Sequence, residues 1–465
     1  MAKRRSTSLV EFAIAPSPST PEDALLPVPA EPFISGARPS FRTVLAVFAR
    51  IGILSFGGPA AQIALMHRTI VDERKWLSEQ RFLHALNFCM LLPGPEAMQL
   101  ATYAGWSLHG LRGGLAAGLL FVLPGAFIVL LLSMLYVAFG ALPLVEAIFF
   151  GIKAAVLAIV IEALLRVARR SLKLASDWWI AAAAFLSLYA FAIPFPVVIL
   201  TAALIGFFRN ALPAAAPAQP SGSISGTIFT AVIWLLLWLG PVYLLWIYFG
   251  PDHVFTGLAT FFSKLAVLTF GGAYAVLSYM AQEVVQSRAW LSAGEMVDGL
   301  GLAETTPGPL ILVIEYVGYL AGHRFAGGIA GGLVGAFISL WVTFVPCFLW
   351  IFFFAPIIDH LRSMPRLSGA LAAITAAVVG VILNLSVWFG LHVLFDSVEH
   401  VERGPFDIWL PVLTSLNLPS LLLLLAASAL LLRWKFPVPA VIGLSAVAGL
   451  ALRLLLGTPA PELVP

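Results

Sequence analysis

One stretch of this sequence occurs twice. Residues 48–125 carry Phe56-Gly57-Gly58 and, later, Pro93-Gly94-Pro95, and a shift of 214 positions reproduces them as Phe270-Gly271-Gly272 and Pro307-Gly308-Pro309. Further along, Pro124 matches Pro346 at an offset of 222, because the second copy has gained eight residues. A repeat that keeps its register over this length predicts two homologous halves.

Composition restricts the solvent in which these halves fold. The 465 residues are 60% hydrophobic and 11% charged, which is far more apolar than a soluble domain of this size. Mostly apolar windows of roughly 20 or more residues recur along the chain. They cover 43–66, 84–107, 114–139, 143–167, 178–209, 228–249, 256–280, 298–320, 327–356, 369–396, 408–432 and 436–456. Because backbone groups in lipid must bond internally and the runs lack two-residue alternation, we predict an all-α polytopic membrane protein.

The same composition predicts the segment boundaries. Polar and proline-rich stretches mark tails and a linker, whereas the apolar windows mark the two repeats. The predicted segments are a disordered Pro-rich cytoplasmic tail at 1–40, the first repeat at 41–210, a linker at 211–227, the second repeat with its preceding helix and C-terminal helices at 228–456, and a tail at 457–465.

Basic residues predict how the halves are oriented. Clusters at 68–81 and 166–173 should both face the cytoplasm, yet they would lie on opposite sides if every window crossed the membrane. The conflict disappears if the windows broken by glycine and proline dip in and return on one side. The first half then has five crossings, so the second half is inverted. Its loop 281–297 has only Arg288 as a basic residue, against four in its counterpart, as inversion predicts.

Two cations lie inside apolar windows at equivalent positions of the repeat. Arg50 and Lys264 each stand seven residues before their Gly-Gly pair. Such buried cations are typical of functional sites, and together they could hold a dianion near the membrane midplane. The alternative is that each side chain reaches a lipid headgroup. A third cation, Lys153, lies about two turns from Glu146 and Glu162, which suggests a buried ion pair.

The helix breaks supply the other candidate ligands. A proline that opens a half-helix leaves the following amides free, and these amides and the helix dipole suit an oxyanion. Glu96 could carry a coupling proton or cap the helix, and the hydroxyls at the breaks could bond an anion or their own helix backbone. The predicted substrate-binding set is Arg50, Ser55, Gly57, Gly58, Pro93, Gly94, Pro95, Glu96, Gln99, Lys264, Thr269, Gly271, Gly272, Glu304, Thr305, Thr306, Pro307, Gly308 and Pro309.

Other site classes are not expected. The two cysteines, Cys89 and Cys347, lie in separate windows, and the histidines have no partner at i+3 or i+4, so we predict no metal site and no cofactor. No phosphate-binding loop motif is present, which argues against ATP-driven pumping by this chain. No basic run is long enough to indicate nucleic acid.

Several motifs together resemble the long-chain chromate ion transporter family. They are Phe56–Pro59, Leu91–Ala97, Phe121–Pro124, Thr269–Val276 and Glu304–Pro309, and the resemblance covers roughly residues 41–456. It implies two antiparallel homologous halves and export of chromate, which lowers its cytoplasmic concentration and confers resistance.

The predicted function is therefore secondary transport of chromate out of the cytoplasm, by alternating access, across the inner membrane. Sulfate has nearly the same shape and charge as chromate, so a sulfate or other oxyanion carrier or exchanger is the alternative. A polytopic membrane enzyme acting on lipid is a third candidate, but no catalytic cluster supports it, and we expect no enzyme activity. The expected partners are the transported anion, the lipid bilayer and a second copy in a homodimer.

Overall fold

The computed structural model describes residues 38–209, 224–270, 273–355 and 365–456. The chain there is helical except for one β-hairpin and short connections. Its helices are α1 (Phe41–Leu54), α2 (Gly58–His67), α3 (Glu79–Cys89), α4 (Glu96–Phe139), α5 (Pro143–Ser171), α6 (Ala175–Tyr189), α7 (Phe195–Arg209), α8 (Ile224–Phe249), α9 (Val254–Leu268), α10 (Ala273–Gln282), α11 (Ala293–Thr305), α12 (Val313–Phe325), α13 (Gly328–Phe354), α14 (Pro365–Leu394), α15 (Leu418–Ser428) and α16 (Val438–Leu456). Most of the predicted tails and linker lie outside the described residues.

The predicted breaks are real gaps between helices. The Gly-Gly pair of the first half separates α1 from α2, and Gly57 and Gly58 both have positive φ, at 87° and 76°. Only glycine adopts such a conformation readily, so the helix cannot continue through this pair. The Pro-Gly-Pro segments likewise separate α3 from α4 and α11 from α12.

Each half contains a tight helical hairpin. In the first half, α4 bends back on itself at His109 and Gly110, which have non-helical φ/ψ, and Gly105 lies against Gly113. In the second half, α12 and α13 form the equivalent hairpin, in which Gly322 lies against Gly331. These close backbone approaches are typical of membrane helices, where small residues line the contacts.

The two hairpins point in opposite directions. Gly114 of α4 contacts Phe352 of α13, and Gly118, one turn further along α4, contacts Phe348, one turn earlier in α13. The turn of the α4 hairpin therefore lies near the end of α13, whereas the turn of the α12–α13 hairpin directly precedes the start of α13. A 27-residue helix is about 40 Å long. The inverted-topology repeat predicted from the sequence is thus confirmed.

The broken segments enter and leave at one end of the bundle in each half. In the first half, the rings of Phe41, at the start of α1, and His109 lie 5.6 Å apart. In the second half, Gly257 near the start of α9 faces Trp290, and Arg324 at the end of α12 donates to the Trp290 carbonyl at 2.9 Å. In the second half the loop between the two breaks therefore lies at the end where the chain enters and leaves, which is the geometry predicted for re-entrant helices.

The halves interlock through a second pair of hairpins. Helices α6 and α7, joined at their open end by Asp177 and Arg209 (3.2 Å), pack on α14 of the other half. Helices α15 and α16 pack on α5 in the same way. We call the end of the bundle that carries Asp177 and Arg209 the basic face, since α5 also ends there with its arginines.

The opposite end carries two antiparallel strands, β1 (Val398–Arg403) and β2 (Phe406–Pro411), which the sequence did not predict. We call this end the hairpin face. Between the two faces, among the described residues, six helices are long and apolar enough to cross a membrane: α4, α5, α8, α13, α14 and α16.

Candidate functional site

The breaks of the two halves are bonded to each other. The Gly94 amide donates to the Thr269 carbonyl at 2.8 Å, and the Gly308 amide donates to the Ser55 carbonyl at 2.9 Å. Each Pro-Gly-Pro segment is therefore held at the end of the half-helix that precedes the Gly-Gly pair of the other half. The structure thus brings together predicted site residues that lie more than 170 positions apart in the sequence.

Glycine is required in both Pro-Gly-Pro segments. Gly94 has a φ of +121° and Gly308 a φ of +94°, in the region that side chains disfavour. A Cβ atom at Gly94 would also lie 2.8 Å from Nε2 of Gln99 and 3.0 Å from Sγ of Cys347. Helix α4 approaches the second segment just as closely, since a Cβ on Gly125 would lie 2.1 Å from the Pro307 carbonyl oxygen.

Two buried glutamines support these segments. Nε2 of Gln62 donates to the carbonyls of Ser55 (3.2 Å) and Gly308 (2.6 Å), so this one amide joins both halves. Nε2 of Gln99 donates to the Pro93 carbonyl at 2.7 Å. The Oε1 atom of each glutamine is buried and has no hydrogen-bond partner among the described residues. Gln99 belongs to the predicted set, but Gln62 does not, although it is the only polar side chain in the first two turns of α2.

The hydroxyl groups at the breaks bond their own helices. Ser55 Oγ donates to the Ile51 carbonyl and Thr269 Oγ1 donates to the Leu265 carbonyl, at 2.6 and 2.7 Å. Thr305 and Thr306 do the same within α11. Of the two interpretations of these residues, bonding to the helix backbone describes this conformation.

A carboxylate lies beside each Pro-Gly-Pro segment. Glu96 is partly buried. Because it is the first residue of α4, the positive end of the helix dipole favours its charge. Glu304 is buried at the end of α11 and accepts a hydrogen bond from the Tyr274 hydroxyl at 2.7 Å. This bond joins α11 to α10, which follows the second Gly-Gly pair. Gly271 and Gly272 themselves lie outside the described residues.

Arg50 and Lys264 lie on the last two turns of α1 and α9, on exposed faces of these half-helices. Arg50 makes no hydrogen bond or ion pair with any residue that the structure describes. The Lys264 ammonium lies 5.9 Å from the centre of the Tyr279 ring. Neither cation is neutralised by a carboxylate in the described part of the chain, and their role as charge partners stays a prediction.

Lys153 has a different partner from the one expected. Its ammonium lies 3.4 Å from Asp298, a buried residue of the second half, which also accepts a hydrogen bond from Tyr136 at 2.8 Å. The expected pairing with Glu146 or Glu162 is wrong, because these residues pair with arginines. Local spacing could not reveal Asp298, which folding brings to α5 from 145 positions away.

Two histidine clusters join residues that are not three or four positions apart, so helical spacing did not predict them. His67 contacts Glu79 (2.6 Å) and Asp72 (3.4 Å), and His400 of β1 contacts Asp407 and Glu402. Within each cluster one ligand atom from every residue lies within 4.8 Å of the others. In both clusters the two carboxylates contact different ring nitrogens of the histidine, which is the geometry of paired ion contacts.

Comparison with known proteins adds an independent observation. Residues 42–207 and 256–450 match the family model described as Chromate transporter. The chromate transport protein of Pseudomonas aeruginosa is 32% identical over 354 residues, covering 74% of this chain and 79% of that protein. The chromate transport protein of Cupriavidus metallidurans is 27% identical over 426 residues (88% and 93%), and an uncharacterized transporter of Methanocaldococcus jannaschii is 28% identical over 358 residues (76% and 86%). No solved structure matches this chain.

Proposed function

Because this chain belongs to the chromate transporter family, we propose that it exports chromate from the cytoplasm by alternating access across the inner membrane. It is a multi-pass membrane protein with two inverted halves. The observation that carries the proposal is the pair of reciprocal bonds between the helix breaks, Gly94 to Thr269 and Gly308 to Ser55. Inverted-repeat transporters bind their substrates at such breaks, near the midplane between the repeats.

The breaks have the chemistry that a tetrahedral dianion needs. At the start of α4, the first-turn amides have no intrahelical acceptor, and the helix dipole places partial positive charge there. Arg50 and Lys264 supply full charges on the half-helices that lead to the breaks, and neither is paired with a carboxylate among the described residues. We assign them as the charge partners of the anion, with the predicted site residues around the breaks as its polar shell.

The membrane potential supplies the driving force in this proposal. Each charge that moves across a membrane gains about 2.3 kcal/mol per 100 mV, so an outward-moving dianion gains about 4.6 kcal/mol per 100 mV when the cell interior is negative. Export of chromate then requires no ATP. Sulfate carries the same charge on the same tetrahedral shape, so we expect it to compete for the site.

Everted membrane vesicles from cells that express this chain test the proposal. Their interior corresponds to the outside of the cell, so exported chromate should accumulate inside when that interior is made positive. We expect accumulation that excess sulfate inhibits. Accumulation of sulfate without accumulation of chromate would favour the sulfate carrier instead, and no accumulation of either anion under any imposed gradient would overturn the transport proposal.

Substitutions test the site within the same vesicles. Arg50→Gln and Lys264→Gln each remove one positive charge near the breaks and should raise the KM for chromate. Arg42→Gln, on an exposed position in the first turn of α1, is the matched control and should leave uptake unchanged. Unaltered KM values in both Arg50→Gln and Lys264→Gln would dismiss these residues as ligands.

A further inference from the structure

A cavity of about 370 Å³ opens at the end of α5 near the basic face. Four of its six lining residues are charged. The lining consists of Glu162, Leu165, Arg166, Arg169, Arg170 and Leu432. Three arginines and one glutamate leave a net charge of +2, which equals in magnitude the charge of one oxyanion dianion.

The three arginines differ in whether the guanidinium group already has a partner. Arg166 is held by Glu162 through two hydrogen bonds, one of 3.1 Å from Nε. Arg170 contacts the Met90 sulfur at 3.4 Å, which is a weak acceptor. Arg169 is exposed and makes no hydrogen bond or ion pair within the described ranges. At least one guanidinium is therefore available to a ligand.

The cavity lies beside the first Pro-Gly-Pro segment. Arg170 contacts the sulfur of Met90, which stands three residues before Pro93. Basic residues at the end of a helix are ordinarily explained by the helix dipole or by membrane orientation. Neither explanation accounts for a cavity between the arginines that adjoins a helix break.

We propose that this cavity is an entrance site, at which a tetrahedral oxyanion dianion is captured from the basic face before it reaches the helix breaks. The inference rests on the proposed function, because it places the site on the path of the transported anion. Guanidinium groups present their donors in a planar fork that matches two oxygens of such an anion. The side chains of Leu165 and Leu432 complete the lining of the cavity.

The arrangement also suggests how the anion would leave the cavity. Arg170 reaches from the cavity to Met90, which precedes the first Pro-Gly-Pro segment. The anion can then move from Arg169 toward the amides at the start of α4.

Binding and transport are measured separately in the test. The full chain is reconstituted into phosphatidylcholine nanodiscs, and the Kd for radiolabelled chromate is measured for the wild type, Arg169→Gln, Arg169→Lys and Arg433→Gln. We expect Arg169→Gln to weaken binding about tenfold, in line with the loss of one charge-assisted contact. Arg169→Lys should recover part of this loss because it keeps the charge. Arg433→Gln removes an exposed charge next to Leu432, outside the cavity lining, and should bind as the wild type does.

The outcomes separate this proposal from the transport proposal. Wild-type binding that Arg169→Gln weakens, without accumulation in vesicles, would support the site and contradict export. If the wild type accumulates chromate and Arg169→Gln binds chromate with the same Kd as the wild type, the entrance site alone is overturned. The entrance site is also overturned if the wild type does not bind chromate in nanodiscs. A fourth result would be that Arg169→Gln changes the Kd for chromate only when the nanodiscs contain phosphatidylglycerol. This result would assign the cavity to a lipid headgroup and also overturn the proposal.

Discussion

Gln62 offers the sharpest test of the bonded helix breaks. Its side-chain amide donates to Ser55 of the first half and to Gly308 of the second, and the side chain is fully buried. Gln62→Met removes both donors but keeps an unbranched side chain of similar length. The substitution should therefore report on the two hydrogen bonds and change the packing little.

The magnitude follows from the two bonds. A buried hydrogen bond contributes about 0.5–1.5 kcal/mol net, so their loss amounts to about 1–3 kcal/mol. Two features reduce this figure. The Ser55 carbonyl keeps the Gly308 amide as a donor, and the substitution also removes Oε1 of Gln62, which is buried without a partner among the described residues. We expect a loss of about 1–2 kcal/mol, which corresponds to a 5- to 30-fold shift in an equilibrium.

The assay combines stability with transport. Unfolding of the detergent-solubilised protein gives the change in stability, and the initial rate of chromate uptake into everted vesicles gives the functional effect. Both should fall in Gln62→Met, since the same amide holds the breaks of the two halves together. Gln80→Met, on an exposed position of α3, is the control for expression and handling. If Gln62→Met unfolds within about 0.5 kcal/mol of the wild type and transports at the same rate, the bonded breaks are not what holds the halves in register.

Three further substitutions test other contacts. Lys153→Met leaves the buried Asp298 carboxylate without its cation and should destabilise the protein by about 3 kcal/mol. The double variant Lys153→Met with Asp298→Asn should lose less stability than the sum of the two single variants. Strict additivity in this double-mutant cycle would refute the pairing. Gly125→Ala should sharply reduce the yield of folded protein, because its Cβ would lie 2.1 Å from the Pro307 carbonyl oxygen. Gly443→Ala is the control and should be neutral, because a Cβ there would have no atom within 4 Å. Equal yields of the two variants would contradict the packing. Tyr274→Phe removes the hydrogen bond to Glu304 and should lower stability by about 1–2 kcal/mol in the same unfolding assay. Tyr248→Phe, at an exposed position, is the control. An unchanged unfolding transition in Tyr274→Phe would show that this bond contributes nothing.

The sequence predicted the backbone of this protein better than its side-chain contacts. Glycine and proline determine where a helix breaks through their own φ preferences, so the motifs around Gly57 and Gly94 locate the breaks without knowledge of the fold. Charge bias then orients the halves, because it acts on each loop separately. The β-hairpin Val398–Pro411 was missed because its strands are only six residues long and the apolar residues of the second strand run into the apolar window at 408–432.

Side-chain partners depend on tertiary structure, and local spacing does not show them. Lys153 has two carboxylates about two turns away on its own helix, yet it pairs with Asp298, which reaches it from the other half. Gln62 likewise gains its role only because Gly308 lies beside it after folding. Hydroxyl groups were the exception among side chains, since Ser55 and Thr269 bond acceptors four residues away in their own helices.

The differences between the halves bear on how the protein would change conformation. In an inverted repeat, alternating access exchanges the conformations of the two units, so a contact between equivalent positions in one state should have a counterpart in the other. The positions equivalent to Lys153 and Asp298 are Thr375 and His84, and threonine cannot form an ion pair. If the protein works by the proposed alternating access, the Lys153–Asp298 pair would therefore stabilise the conformation described here without an equal contact in the opposite one. Under the proposed alternating access, the homologous halves would permit both states, and this asymmetric ion pair would favour the one described here in the absence of the anion.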